Sequence, residues 1–261
     1  MKVSHHVVES DTAGLAGVFV TGTDTGVGKT WVAAALARLL VRQGLLVRPR
    51  KPVESGCATG GDGLLPKDAA ALCEAACSTE SLEQVCAYPL RAALSPERAA
   101  ALEGRTLILD QLVAACQSGV GIGDFLLVEG AGGLLSPVAA GITNADLAAA
   151  LQLPVLVVAT DRLGVINHIL LTVEAMLRRE LPLAGVVLNQ AAPVTDPFMD
   201  NAADLARWLG RPVELVLHRP AREAPAWTDI APFLQELADR LAAAHGAPEA
   251  VRPNANREVH E

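Results

Sequence analysis

The stretch Gly22-Thr23-Asp24-Thr25-Gly26-Val27-Gly28-Lys29-Thr30 restricts what this chain can fold into more than any other. A short apolar run, Gly17-Val18-Phe19-Val20, leads into it, and a helical pattern from Trp31 to Arg42 leads out. Strand, glycine-rich turn and helix form the context of a phosphate-binding loop. The glycines let backbone N–H groups close around an anion, and the helix start adds unpaired N–H groups and the positive end of its dipole. Lys29 is placed to reach the β- and γ-phosphates and Thr30 to offer its hydroxyl to Mg²⁺. The usual spacing is G-x-x-x-x-G-K-[ST]. Counting back from Gly28, the first glycine is displaced by one position, from Thr23 to Gly22, so the match is a variant. Glycine-rich turns of this kind also serve plain packing; the lysine and threonine in register favour phosphate binding.

Two later segments put reactive side chains at strand ends. Leu45–Arg50 reads as a strand and delivers Lys51-Pro52-Val53-Glu54-Ser55-Gly56-Cys57, where ligands bind in open α/β sheets. Phe125-Leu126-Leu127-Val128 reads as another, ending in Glu129-Gly130-Ala131-Gly132-Gly133. Further buried-strand patterns cover Val155–Ala159 and Ala184–Leu188, with a weaker one at Pro212–Leu217. Helical patterns cover Thr30–Gln43, Lys67–Ala76, Thr106–Ser118, Asn144–Leu151, Gly164–Arg179, Asp196–Leu209 and Ile230–Ala244. Ser95 is expected to cap a helix that runs through Leu102, with Pro96 at its first position. Ala58–Pro66 reads as a loop, and Ser78–Ala93 is ambiguous. The alternation predicts an α/β fold of the phosphate-loop NTPase type, with a mainly parallel central sheet and helices on both faces. Lys29, Lys51, Glu129, Asp161 and Asn189 then share one rim of the sheet. Residues 17–245 are expected to form one domain, with a lead-in over 1–16 and a polar tail over 246–261.

Composition narrows the class. Hydrophobic residues make up 51% and aromatics 3%, so the core has to be aliphatic and alanine-rich. Lys plus Arg is 21 against 29 for Asp plus Glu, a net −8, which argues against a nucleic-acid surface. No apolar run reaches membrane-spanning length and Met1–Gly14 shows no signal pattern, so a cytoplasmic protein is expected. The five cysteines form no CxxC pair. Cys73 and Cys77 fall on one helix face, but reduced core thiols are the simpler reading.

Four segments in this order resemble the dethiobiotin synthetase family, ATP-dependent enzymes of biotin synthesis: Gly22-Thr23-Asp24-Thr25, Lys51-Pro52-Val53-x-Ser55-Gly56, Val128-Glu129-Gly130-Ala131-Gly132-Gly133 and Gly164-Val165-Ile166-Asn167-His168. The resemblance runs from about Val18 to Asn189. It implies closure of a urea ring on 7,8-diaminononanoate (7,8-diaminopelargonate) with CO₂ and MgATP, through a carbamate and a carbamic–phosphoric anhydride. It implies that Thr25, Gly26, Val27, Gly28, Lys29 and Thr30 hold the nucleotide, and that Asn189 reads its base. Thr30, Asp68 and Glu129 match the Mg²⁺ ligand positions, with Asp62 a rival to Asp68 in the same loop. Lys51 would sit between carbamate and γ-phosphate, with Thr25 and Ser55 on the diamine or its carbamate. Gly164 and Asn167 match a loop that a partner subunit lends to the substrate's carboxylate, implying a homodimer with the substrate site at its interface. His168 beside it reads as a packed or interfacial histidine.

The chain departs from that family at Gly26, where some members carry a glutamate, and over Val213–Pro225, which lacks the expected glycine–x–x–proline turn. One rival on the same fold is an amide-forming ligase of cobalamin synthesis. It would need a glutamine-hydrolysing domain with a nucleophilic cysteine, and no cysteine follows Asn189. The other is a partition or septum-positioning ATPase, a nucleotide switch. Those carry a lysine five residues before the loop lysine, where this chain has Asp24.

Overall fold

The computed structural model describes residues 16–61, 63–190, 196, 198–218 and 226–246. Six parallel strands make the central sheet: β1 (Gly17–Gly22), β2 (Val47–Arg50), β3 (Phe125–Gly133), β4 (Val155–Thr160), β5 (Leu183–Asn189) and β6 (Glu214–Val216). Their order is β6-β5-β4-β1-β3-β2, so the strand that feeds the glycine loop lies inside the sheet. The helices are α1 (Lys29–Arg42), α2 (Lys67–Ala76), α3 (Pro96–Leu102), α4 (Leu109–Gln117), α5 (Asn144–Leu151), α6 (Val165–Leu177), α7 (Asn201–Leu209), α8 (Ala226–Ile230) and α9 (Gln235–Ala244). Single turns at Leu82–Val85 and Ala231–Leu234 complete them. None is long and apolar enough to cross a membrane among the described residues.

Both faces of the sheet are covered, which is why its strands read as continuous apolar runs. Side chains alternate between the faces as the pleat requires. Val18, Val20, Leu127, Leu156 and Val158 pack with α1, α2, α8 and α9. Phe19, Leu126, Val128, Val155 and Val157 pack with α3 to α7 on the other side. Six consecutive residues of α1, Val32 to Ala37, have no exposure; four are alanines, small enough to bring the helix close to the sheet. Gly17 has a similar role in β1, because a Cβ there would lie 2.0 Å from the Leu126 oxygen of the neighbouring strand.

The strand end that carries Lys51 is anchored by a buried arginine. Arg50 has no exposure, and its guanidinium is fully engaged in hydrogen bonds. Its Nη1 and Nη2 donate to the two carboxylate oxygens of Glu80 at 3.0 and 2.8 Å. The same guanidinium donates to the backbone oxygens of Pro49, Cys116 and Ser118. Lys51 N–H then donates to the Val85 oxygen at 2.8 Å, tying the next residue to the adjoining turn.

Several boundaries differ from the sequence reading. β3 does not stop at Val128; it continues to Gly133 because it follows β1 past a register shift, from Val20 opposite Glu129 to Gly22 opposite Gly133. Ala58–Pro66 is not a plain loop: Ala58–Gly60 and Gly63–Leu65 pair antiparallel. The ambiguous Ser78–Ala93 holds the Leu82–Val85 turn, with a Ser81–Gln84 capping box, and strand Tyr88–Leu90 beside Val53–Ser55. The last helix is divided, with a 3₁₀ turn carrying Pro232 between α8 and α9, since proline removes an N–H that a continuous helix would use. Ser95 stands at the start of α3, but its side chain makes no capping hydrogen bond; Pro96 alone sets that start.

Candidate active site

β1 runs into the glycine loop and α1 begins inside it. Gly28, directly before Lys29, has φ 95°, a left-handed conformation that costs other residues about 1–2 kcal/mol. A Cβ there would also lie 2.2 Å from Asn189 Nδ2. That amide, at the end of β5, donates to the Val27 oxygen at 3.0 Å and holds the loop from the neighbouring half of the sheet. The first intrahelical bond runs from Val32 N–H to the Gly28 oxygen at 3.1 Å, so the N–H groups of Lys29, Thr30 and Trp31 precede it. Such a helix start attracts anions. Gly28→Ala is expected to weaken ATP binding at least about tenfold, given the conformational cost and the displaced Asn189. Calorimetric titration of the variant checks this.

Behind the loop, two buried ammonium groups face two carboxylates. Lys51 Nζ donates to Glu129 Oε1 at 2.6 Å and to the Gly130 oxygen at 3.3 Å, and pairs with Asp68 Oδ2 at 3.2 Å. Thr30 Oγ1 donates to the same Glu129 oxygen at 2.9 Å. Lys51 and Glu129 are 3% and 1% exposed, so these contacts are little screened by water. Burial pushes the Lys51 pKa down, but Glu129 and then Asp68 outweigh it and raise it above the ordinary lysine value. Lys29 differs. Burial and then the neighbouring Lys51 charge lower its pKa, against the pull of Glu129, Asp68 and Asp24. Its Nζ donates to the Asp24 backbone oxygen at 3.1 Å across the loop. A site with two crowded ammonium groups favours an arriving polyanion.

Sequence reasoning missed Glu54, the variable position of the Lys51-Pro52-Val53-x-Ser55-Gly56 motif. It is 7% exposed and its two carboxylate oxygens accept from the N–H groups of Asp68 and Ala69, each at 3.1 Å. Burial and then the Asp68 charge raise its pKa, while those N–H bonds oppose the rise. Glu54 thereby fixes the start of α2 and with it Asp68. Asp68 lies in the first helical turn, not at the cap, which is Pro66.

These groups line one open cleft of about 1180 Å³. Thr25, Gly26, Gly28, Lys29 and Thr30 reach it from the loop; Lys51, Ser55, Asp68, Glu129 and Asn189 reach it from the strand ends and α2. Val27 is buried behind the loop. Ser95, with its hydroxyl free of capping, lines the cleft too. Asp161 does not belong with the others: its carboxylate accepts from Gln190 Nε2 and Asn201 Nδ2, a structural use that pins β5 to α7. Gly164 and Asn167, at the start of α6, do not line the cleft of their own chain; both are exposed, as is His168. Asp62 and the segment 219–225 lie outside the described residues.

The donors present suit Mg²⁺. Glu129 Oε2 is buried and has no hydrogen-bond partner. Beside it are the Thr30 hydroxyl and the Asp68 carboxylate, an all-oxygen set of the kind that cation takes with phosphate oxygens and water. Among the described residues no cluster of three or more His, Cys, Asp or Glu could hold a metal, and the five cysteines are free thiols.

Over residues 16–216 the chain matches a family model described as an AAA domain. It is 49% identical over 216 residues to the ATP-dependent dethiobiotin synthetase BioD of Anaeromyxobacter dehalogenans (strain 2CP-C), covering 81% of this chain and 95% of that protein. It is 41% identical over 220 residues to the protein of the same name from Cellvibrio japonicus (strain Ueda107), covering 83% and 96%. Among solved structures, the MinC:MinD cell division protein complex of Aquifex aeolicus is similar in fold alone, with a TM-score of 0.51, 12% identity and coverage of 91% and 98%. The family follows from the sequence relationship: the chain belongs to the ATP-dependent dethiobiotin synthetases, a family of ATP-dependent ligases.

Proposed function

We propose that this protein closes a cyclic urea on 7,8-diaminononanoate with CO₂ and MgATP, releasing dethiobiotin, ADP and phosphate in the cytoplasm. One amine takes up CO₂ as a carbamate. A carbamate oxygen attacks the γ-phosphorus, ADP departs, and a carbamic–phosphoric anhydride remains. The second amine attacks its carbonyl carbon and phosphate leaves with the bridging oxygen. The observation that carries this reading is Lys51, a buried ammonium held by Glu129 and Asp68 in the same cleft as the phosphate loop.

Each residue then has a task that matches its placement. Lys29 and the loop N–H groups bind the β- and γ-phosphates. Lys51 stabilises charge on the oxygens passing between carbamate and γ-phosphate, where a fixed positive group is worth most. Thr25 and Ser55 orient the diamine or its carbamate. Asn189 reads the base, and its Nδ2 also braces the loop. Thr30, Asp68 and Glu129 hold Mg²⁺, which when bound neutralises phosphate charge. Gly164 and Asn167, exposed beside a 92%-exposed Leu163, serve the cleft of a second copy, where the α6 start receives the substrate's carboxylate.

ATP turnover tests this reading. ADP is expected to form at an appreciable rate only when the diamine and bicarbonate are both present. Hydrolysis stimulated by DNA or lipid vesicles, without the diamine, would contradict it and favour a nucleotide switch.

A further inference from the structure

Trp31 is unusual for its position. It directly follows Thr30 on α1, where the succeeding residues from Val32 to Ala37 are buried, yet it is 51% exposed and lines the cleft. The chain has only three tryptophans, and this one stands at the mouth of the phosphate loop.

Strand order gives the cleft two ends. Lys51 and Glu129 come from the β2 and β3 side of β1, whereas Asn189, Leu217 and His218 follow β5 and β6 on the other side. The paired lysine and carboxylates assign the reacting γ-phosphate to the first end. The rest of the nucleotide then leaves the cradle toward the second. Trp31 stands where the cradle stops, since its N–H is the last before the intrahelical bonds begin at Val32. α8, packed against α1, brings Ile230 to the same lining. A flat, half-exposed indole there, with Ile230 and the 43%-exposed Leu217, is an apolar surface matched to a sugar and a base.

We infer that Trp31 is a nucleoside-binding residue, its indole lying against the ribose and base of the bound nucleotide. It adds affinity that the phosphate cradle does not supply. Stacking on an aromatic face tolerates different bases, so Trp31 contributes strength rather than base selectivity. The inference rests on the phosphate-loop reading above.

Two ligands separate the contributions: ATP, and inorganic tripolyphosphate, which has the phosphates without the nucleoside. Their affinities would be measured by calorimetry for the wild type, Trp31→Ala and Trp31→Phe. Trp31→Ala is expected to weaken ATP about tenfold, as loss of a stacked aromatic does, and to leave tripolyphosphate within about twofold. Trp31→Phe is expected to keep most of the ATP affinity. ATP is also expected to change the tryptophan fluorescence of the wild type and not of Trp31→Ala, although Trp208 and Trp227 remain. Unchanged ATP affinity in Trp31→Ala, or an equal loss for both ligands, overturns the role given to Trp31 and leaves the phosphate loop standing. Failure of tripolyphosphate to bind the wild type overturns the loop reading and this inference with it.

Discussion

Lys51→Ala is expected to lower turnover by at least about 10²–10³-fold, the loss seen when a fixed donor to developing charge is removed. ATP affinity is expected to stay within about twofold, because Lys29 and the loop N–H groups remain. The asymmetry follows from what Lys51 touches. Its Nζ is held by Glu129 and Asp68 at 2.6 and 3.2 Å, and burial keeps that charge fixed in place. Lys51→Arg is not expected to restore activity, since a planar fork does not fit a site that leaves the Lys51 side chain 4% exposed. Steady-state product formation with calorimetric ATP titration checks both halves. An equal loss of binding and turnover would make Lys51 a phosphate-binding residue only.

Arg50→Ala is expected to be the most destabilising single change near the cleft. It removes a fully buried guanidinium and leaves Glu80, 6% exposed, without its fork partner. Breaking such a pair costs about 3–5 kcal/mol, a fall in melting temperature of roughly 6–20 °C for a chain of this size. Arg50→Lys is expected to recover only part of it, because one ammonium cannot span Glu80 and the Cys116 and Ser118 oxygens together. Arg178→Ala is a fitting control: its pair with Glu174 is exposed on both sides, and its removal is expected to leave the melting temperature unchanged. Thermal denaturation followed by circular dichroism distinguishes these outcomes.

The legible parts of the chain were those whose physics is local. The phosphate loop shows in the spacing of Gly28, Lys29 and Thr30, and the buried strands show as unbroken apolar runs. Glu129 and Lys51 were readable because each follows such a run. What could not be read depends on partners far along the chain. The extension of β3 past Glu129 needs pairing with Gly22 across a register shift. The three-residue strands Val53–Ser55 and Tyr88–Leu90 are too short to show a period. Glu54 looked like a variable motif position, since the N–H groups it binds lie 14 and 15 residues on, in α2. Arg50 showed only as the last residue of a strand; its complete burial depends on Glu80, Cys116 and Ser118, which lie 30 to 68 residues further on. Asp161 does follow β4 on that rim, beside Asn189, but it takes no part in the cleft because its carboxylate is consumed by Gln190 and Asn201.

The chemistry proposed for the cleft fixes the fate of each CO₂ oxygen. One stays in the urea carbonyl, and the other crosses to phosphorus when the carbamate attacks ATP. A single turnover with doubly ¹⁸O-labelled CO₂, diamine and unlabelled ATP, quenched before the label exchanges with water, follows both by mass spectrometry. The account predicts one labelled oxygen in the released phosphate and one in the cyclic product. Phosphate that carries no label, its new oxygen drawn from water, would contradict it.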